Sequence, residues 1–183
     1  METTKETKLL EVIVNDDLSW DSNTNYLTTR ANARMRLLHK LVSFSVPQED
    51  LLNIYILYIR SILEQSCQVW HSSLTLENFN DLERVQKNAL RIIFQEDYVS
   101  YSNALDKSGL SPLFERRSNL CLRFAKSCVK NVATKDMFPL NPTMQSYQLE
   151  TRFREKYKVT HARTERLKTS SIPYMQRLLN SAK

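Results

Sequence analysis

The sequence predicts a mainly α-helical protein: a small bundle of four longer helices, preceded by one short strand and followed by a less regular basic tail. Apolar residues recur at intervals of three and four along most of the chain, which is the helical period. Helix start and stop signals flank these stretches. Only one glycine, Gly109, occurs among 183 residues, and 42% of the chain is apolar and 25% charged. This composition is typical of a globular protein with a packed core.

The N-terminal segment, residues 1–22, contains one β-strand signal. Residues 9–14 are short and rich in β-branched side chains, and Asn15, Asp16 and Asp17 follow as a turn signal. A single strand is not stable alone. It therefore pairs either with a later part of this chain or with strands that this chain lacks.

The first long helix is predicted to begin at a cap formed by Asn23 or Thr24 and to run to about Val42. Its buried face is expected to comprise Leu27, Ala31, Met35, Leu38, Leu41 and Val42. Three cations lie on the opposite arc of the helix, namely Arg30, Arg36 and Lys40.

The second helix is predicted from residues 46–71, with Pro47 in its first turn. Nearly every residue from 51 to 63 is apolar, which predicts a central core helix buried nearly all round. The run is too short to cross a bilayer, and Arg60 and Glu64 interrupt its end. These two residues are expected to form an ion pair.

Two further long helices complete the predicted bundle, which spans residues 23–133. Residues 76–94 have helical spacing and carry a basic row, Arg84, Lys87 and Arg91. A short helix over residues 98–107 is predicted to stop at Gly109, and Ser111 with Pro112 opens the last long helix. The buried stripe of that helix is expected to be Leu113, Leu120, Cys121, Phe124, Cys128 and Val132.

The C-terminal segment, residues 134–183, differs in character because Pro139 and Pro142 interrupt it and its periodicity fades. Residues 150–170 hold seven basic residues against three acids, with Phe153, Tyr157 and His161 interleaved at intervals of four. This pattern indicates either a basic arm anchored by aromatic side chains or a solvated amphipathic helix. A short helix is predicted over residues 172–180.

Composition also excludes several classes of site. One glycine is too few for a Walker loop or a dinucleotide-binding fingerprint. Cys67, Cys121 and Cys128 are odd in number and are expected to be reduced, buried thiols of an intracellular protein, in the nucleus or cytoplasm. The spacing of cysteines and histidines predicts no metal site, and we expect no cofactor, no small-molecule substrate and no membrane association.

The distribution of charge suggests a polyanionic partner. The chain carries a net charge of +6, and residues 1–22 hold six acidic residues and two basic ones. The 26 basic and 20 acidic residues of the whole chain therefore leave 24 against 14, a surplus of ten, over residues 23–183. Such a surplus favours nucleic acid as a partner, although a soluble basic protein with no such partner has the same composition.

Several collinear segments give the chain a resemblance to a known family. The segments are residues 9–20, 31–38, 59–64 with 69–71, 82–93, 101–110, 115–117 and 163–173. Taken together, they resemble the C-terminal part of non-LTR retrotransposon reverse transcriptases (RNA-directed DNA polymerases) of the jockey-like kind. The resemblance implies a thumb, which holds the template–primer duplex, followed by a C-terminal extension. The chain departs from the family at Glu11, where the family usually has Gly, and at Gln68, where it usually has Pro.

The resemblance also implies that this chain lacks the catalytic palm domain. Asp16 and Asp17 could suggest a catalytic pair, but two-metal phosphoryl transfer needs further carboxylates around the ions. Reverse transcriptases take another aspartate from a strand far upstream, and none of the 15 residues before Asp16 is Asp. The pair is therefore interpreted as a turn, and the chain is not expected to be an enzyme by itself.

The remaining functional candidates are the two basic rows of the helices. Lysine and arginine neutralise backbone phosphates without reading sequence, which is what a thumb requires of an RNA–DNA or DNA duplex. The predicted nucleic-acid-binding residues are Arg30, Arg36, Lys40, Arg84, Lys87 and Arg91. The alternative interpretation is a solvated basic face on a helical protein-interaction module with no nucleic-acid role.

Overall fold

A computed structural model describes residues 4–142 and 156–182 and confirms a mainly α-helical fold. The chain forms two compact units, one comprising Met1–Cys67 with Leu74–Arg116, the other Gln68–Ser73 with Arg117–Lys183. The three segments expected from the sequence remain a prediction. The predicted residues Phe153, Arg152 and Arg154 of the basic tail lie outside the described residues.

The N-terminal segment contains two strands, so the prediction of a single strand is wrong. Strands β1 (Glu6–Leu9) and β2 (Val12–Asn15) pair antiparallel, with Leu9 opposite Val12. Leu10 and Glu11 connect them with φ angles of 48° and 65°, the left-handed conformation of a tight hairpin turn. Leucine and glutamate rarely adopt it, so the sequence carried no hairpin signal at this point. Asp16 and Asp17 lie in a turn after β2, as expected.

Helix α1 (Asp21–Ser43) begins earlier than predicted, and neither Asn23 nor Thr24 is its cap. Both side chains are buried within the first turn. The Asn23 side-chain oxygen accepts a hydrogen bond from the backbone N–H of Ile13 at 3.1 Å. Asn23 therefore attaches the hairpin to α1. The predicted buried face is confirmed at Leu27, Ala31, Met35 and Leu38, whereas Leu41 and Val42 are half-buried.

The central segment is helical but is not buried all round. It consists of α2 (Gln48–Ile54), a π-helical stretch (Tyr55–Arg60) and α3 (Ser61–Glu64), and Pro47 precedes its first turn. Leu57 and Tyr58 are 68% and 54% exposed. The buried residues are Leu51, Tyr55, Ile59, Ile62 and Leu63.

The π-helical stretch explains which face of this segment is buried. Residues spaced by four drift around an α-helix by about 40° per step, because a turn takes 3.6 residues. A π turn is wider and shifts the same spacing in the opposite direction. The four-residue series from Leu51 through Tyr55 and Ile59 to Leu63 therefore stays on one side. The predicted ion pair is confirmed, because Arg60 contacts Glu64 at 3.1 Å, and Arg116 contacts the same carboxylate at 3.1 Å.

Two short elements follow, α4 (Cys67–Trp70) and a 3₁₀ turn (His71–Ser73). Helix α5 (Leu76–Phe94) then has the predicted bounds, and the Thr75 hydroxyl caps it by accepting the Asn78 N–H at 3.2 Å. The Asn78 side chain donates to Asp21 at 2.6 Å, so the starts of α5 and α1 lie together. Thr28 of α1 and Asp81 of α5 line one cavity, and His39 and Ile92, further along each helix, line another. The two helices therefore run side by side in the same direction.

Helix α6 (Tyr101–Ser108) begins three residues later than predicted, with Ser100 as its cap. It stops at Gly109, which has the left-handed φ of 64° that the sequence predicted. Helix α7 (Leu113–Lys130) is confirmed. Its buried stripe differs from the prediction, because Phe124 and Val132 are 46% and 78% exposed. The buried residues are Leu113, Arg117, Cys121, Ala125 and Cys128.

The stripe of α7 was misplaced because a buried arginine occupies one of its positions. Arg117 is fully buried, with its guanidinium 5.6 Å from the centre of the Trp70 ring. Because the prediction treated arginine as a surface residue, it placed the apolar face of α7 on the wrong side of the helix. All three cysteines are buried and free of disulfides, as predicted.

The C-terminal region contains α8 (Glu165–Thr169) and α9 (Ser171–Ser181), of which only the second was predicted. Residues 156–164 are not helical, so one amphipathic helix through this stretch is excluded. Tyr157 is buried and pairs with Leu140 in an isolated antiparallel bridge. The Asn180 side chain bonds to both the N–H and the C=O of Tyr157, at 2.8 and 2.9 Å.

Candidate nucleic-acid interface

A polar groove runs between α1 and α5. One cavity of about 340 Å³ is lined by Asn32, Met35, His39, Asn88, Arg91 and Ile92. A second of about 190 Å³ is lined by Thr28, Asn32, Asp81, Arg84, Val85 and Asn88. Because Asn32 and Asn88 line both cavities, the two form one continuous groove, which we call the α1–α5 groove.

The basic row of α5 borders this groove. Arg84 and Arg91 line it directly and are exposed. Arg84 contacts Asp81 at 3.1 Å, and its side chain is 67% exposed. An exposed pair of this kind contributes little to stability and exchanges readily for another anion. Lys87, between the two arginines in sequence, is half-buried and leans towards α6.

Two tyrosine rings lie beside the cations of α5. The Lys87 ammonium lies 5.1 Å from the centre of the Tyr101 ring, and the Arg91 guanidinium lies 5.5 Å from that of Tyr98. Cations at this distance are attracted by the negative face of the ring. The rings therefore restrict where these two side chains point while leaving Arg91 open to solvent. The sequence contained no signal for this contact, because the tyrosines belong to a different element.

Tyr101 is held in place by a buried hydrogen-bond network. Its hydroxyl donates to the carboxylate of Glu83 and accepts from the Gln86 amide at 2.8 Å. Burial, followed by this bond to Glu83, raises the pKa of Tyr101 well above its usual value. Glu83 also accepts the backbone N–H of Leu113 at 3.2 Å, and Tyr55 donates to Gln86 at 2.7 Å. The ring beneath Lys87 is consequently fixed from several directions.

The basic residues predicted on α1 do not all lie at the groove. Arg36 and Lys40 are exposed and follow Asn32 at successive intervals of four, so they continue along the same side of the helix. Arg30 lies on another side, where it contacts Glu11 at 3.2 Å and the Tyr26 hydroxyl at 3.2 Å. Of the predicted residues, Arg84 and Arg91 line the groove, and Arg36 and Lys40 continue along its α1 side. Lys87 lies beside Tyr101, and Arg30 lies apart from the groove.

The electrostatic balance of the groove is positive. Among the residues that line its two cavities, the only acid is Asp81, and its charge is offset by Arg84. Thr28, Asn32 and Asn88 add neutral hydrogen-bonding groups between the cations. Sequence reasoning missed these residues because polar side chains on a helix face are too common to indicate a site. The arrangement provides cations and neutral donors, together with one histidine, His39, and one carboxylate, Asp81.

A histidine, a serine and a tyrosine lie close together in the second unit. His71 Nε2 lies 3.1 Å from the Ser118 hydroxyl, which in turn lies 3.0 Å from the Tyr174 hydroxyl. Arg117 Nε donates to His71 Nδ1 at 3.4 Å. With Nδ1 accepting from Arg117, the neutral ring donates its Nε2 proton to Ser118.

The described residues, 4–142 and 156–182, contain no group of three or more histidine, cysteine or acidic side chains that could hold a metal ion. None of the described helices is long and apolar enough to cross a membrane. No protein-family model matches the chain, and it has no significant match among curated proteins or solved structures.

Proposed function

We propose that this chain is a nucleic-acid-binding module that holds a duplex by its backbone phosphates at the α1–α5 groove. The observation that carries the proposal is the alignment of Arg84 and Arg91 along one groove, with Arg36 and Lys40 continuing the α1 side. Together with the resemblance described above, it supports a thumb-like part of a retrotransposon reverse transcriptase. In this proposal a palm domain outside the chain performs the catalysis.

Binding in this proposal is electrostatic. A phosphate displaces the Asp81 carboxylate from Arg84, because the exposed pair is weak. Arg91 and Lys87 are presented by the tyrosine rings, so less side-chain freedom is lost when they contact the backbone. The amides of Asn32 and Asn88 donate hydrogen bonds to phosphate oxygens between the cations. The RNA–DNA hybrid and the DNA duplex are both suitable partners because both present regularly spaced phosphates.

The proposal is tested by the salt dependence of binding. Fluorescence anisotropy with a labelled RNA–DNA duplex should give a log affinity that falls linearly with log salt. A slope of roughly −4 is expected if about four to five phosphates are contacted. A duplex that does not bind at low salt, or affinity that does not change with salt, would contradict the proposal.

Replacing Arg84, Lys87 and Arg91 with Gln should reduce the magnitude of this slope by about one for each lost phosphate contact. The matched control is the same replacement at Arg123, Lys126 and Lys130, which are exposed cations of α7. The control should bind like the parent. Replacing Asp81 with Asn should instead tighten binding, because it removes the one acid that competes with phosphate.

A helical protein-interaction module is the second candidate. The exposed side chains of Leu57 and Tyr58 favour it, because large apolar and aromatic residues are enriched at protein interfaces. Duplex binding that changes neither with salt nor with the Gln replacements at Arg84, Lys87 and Arg91 would support the protein-interaction module.

A further inference from the structure

The hydrogen-bond register of the hairpin determines which of its backbone groups point outward. The backbone N–H of Asp16 donates to Lys5 at 2.9 Å, so Lys5 and Asp16 are a hydrogen-bonded pair. Such pairs alternate with non-bonded ones along an antiparallel ladder. The non-bonded pairs are therefore Glu6 with Asn15 and Lys8 with Ile13. The N–H and C=O groups of these residues point away from the hairpin.

The two edges of the hairpin differ. On the β2 edge, the outward N–H of Ile13 is taken by Asn23, so α1 covers this edge. On the β1 edge, the backbone N–H groups of Glu6 and Lys8 form no hydrogen bond to another described residue. All of β1 is exposed, including Leu9 at 63%. An open strand edge is a template for another strand.

We propose that β1 pairs antiparallel with β1 of a second copy of this chain, with the two-fold axis at Thr7. In this register Glu6 of each copy lies opposite Lys8 of the other. Both residues have outward backbone groups, so each Glu6–Lys8 pair exchanges both of its hydrogen bonds, as the ladder geometry requires. This pairing would form one continuous four-stranded antiparallel sheet from two hairpins.

Side-chain charge favours the same register. Opposite charges directly across an antiparallel pair are stabilising, and this register places two such pairs in each dimer. The Lys8 ammonium already contacts Glu11 at 3.0 Å and the Tyr26 hydroxyl at 2.9 Å, and an ammonium has three donors. One donor therefore remains for Glu6 of the second copy. If the register shifts by one residue, each residue with outward backbone groups lies opposite one whose backbone groups point inward. The hydrogen bonds between the two strands then cannot form.

The dimer is expected to be weak, because one short strand pair covers far less than the area of a stable interface. The contact lies well below the ~1,000 Å² that a stable interface buries, so we expect dimers only at high protein concentration. Sedimentation equilibrium over a range of concentrations should show a monomer–dimer equilibrium. Amide hydrogen exchange should show protection of Glu6 and Lys8 that rises with concentration, whereas protection of Thr7 should stay constant.

Two substitutions test the register directly. Glu6→Pro removes an outward N–H without breaking a bond inside the hairpin, and it should abolish dimerisation. Glu6→Lys places like charges across both pairs and should weaken dimerisation by about tenfold. Constant protection of the Thr7 amide verifies that the hairpin is intact in each variant.

The control is Glu96→Lys, which makes the same charge change at the far end of α5 from the hairpin and should leave the dimer unchanged. A chain that stays monomeric at millimolar concentration overturns the proposal. A dimer in which Glu6 and Lys8 exchange freely also overturns it. Neither result depends on nucleic-acid binding, so this inference and the proposed function fail separately.

Discussion

At the scale of single residues, Glu11 shows how a side chain compensates for an unfavourable backbone conformation. Its φ of 65° suits glycine, the residue that the resemblance leads one to expect at this position. The Glu11 carboxylate instead contacts Lys8, Tyr26 and Arg30 around the turn. Glutamate at this position therefore keeps the hairpin and adds a polar link from its turn to α1.

The contacts of Glu11 predict its titration. The hydrogen bond from Tyr26, followed by that from Lys8, lowers the pKa of Glu11 below its usual 4.5. A carboxyl group with a lowered pKa stabilises the fold above its unfolded pKa, and this contribution is lost as pH falls through the folded value. An NMR titration should show the lowered pKa. It should rise towards 4.5 in Tyr26→Phe and stay lowered in the control Tyr98→Phe.

His71 acts on stability in the same direction as Glu11 at acidic pH, but through burial of a neutral imidazole. Burial, followed by the charge of Arg117, lowers the pKa of His71 from 6.5 to about 3. The unfolded chain therefore binds a proton between pH 6.5 and 3 that the folded chain does not, so stability falls as pH falls through this range. The expected loss is about 2 kcal/mol at about pH 5.

Urea unfolding of the parent and of His71→Gln at several pH values measures this effect. The parent should lose stability more steeply than the variant below pH 6.5, and the two should run parallel above pH 7. An NMR titration midpoint for His71 near 6.5 would contradict the prediction.

At the scale of secondary-structure elements, most boundaries follow local signals. Thr75, Ser100 and Thr164 each accept a backbone N–H three residues later, as capping residues do. The exception is the central segment, where the π-helical stretch redirects the buried face.

The end of α6 permits a direct test of one such signal. Gly109 has a φ of 64°, and a Cβ atom added there would meet nothing within 4 Å. The cost of Gly109→Ala is therefore conformational and should be about 1 kcal/mol of unfolding free energy. Gly109→Asn should cost less, since asparagine tolerates this conformation. Equal stability of the alanine variant in urea unfolding would contradict the left-handed stop.

At the scale of the whole molecule, the three thiols report on the intactness of both units. Cys67 lies in the first unit, and Cys121 and Cys128 lie in the second. Because all three are buried, we expect the native protein to react slowly with a soluble disulfide reagent and the urea-unfolded protein to react fully. One thiol that reacts quickly under native conditions would show that its unit opens readily.

Charge also acts at this scale, but its sign alone does not locate a site. The basic surplus is spread over several helices, and Arg123, Lys126 and Lys130 of α7 are as exposed as the cations at the groove. Only the packing of α1 beside α5 distinguishes Arg84 and Arg91, because it provides a concave surface between two positive borders.

The sequence by itself determined the helical class, the bounds of α5, the stop at Gly109, the Arg60–Glu64 pair and the burial of the cysteines. These features depend on residues within a few turns of one another, so local periodicity and backbone preferences are sufficient to predict them. The tertiary structure alone decided the hairpin turn at Leu10 and Glu11, the burial of Arg117 and the separation of Arg30 from the groove. Each of these depends on a partner distant in sequence, and those contacts outweigh local preference because burial and ion pairing act through space.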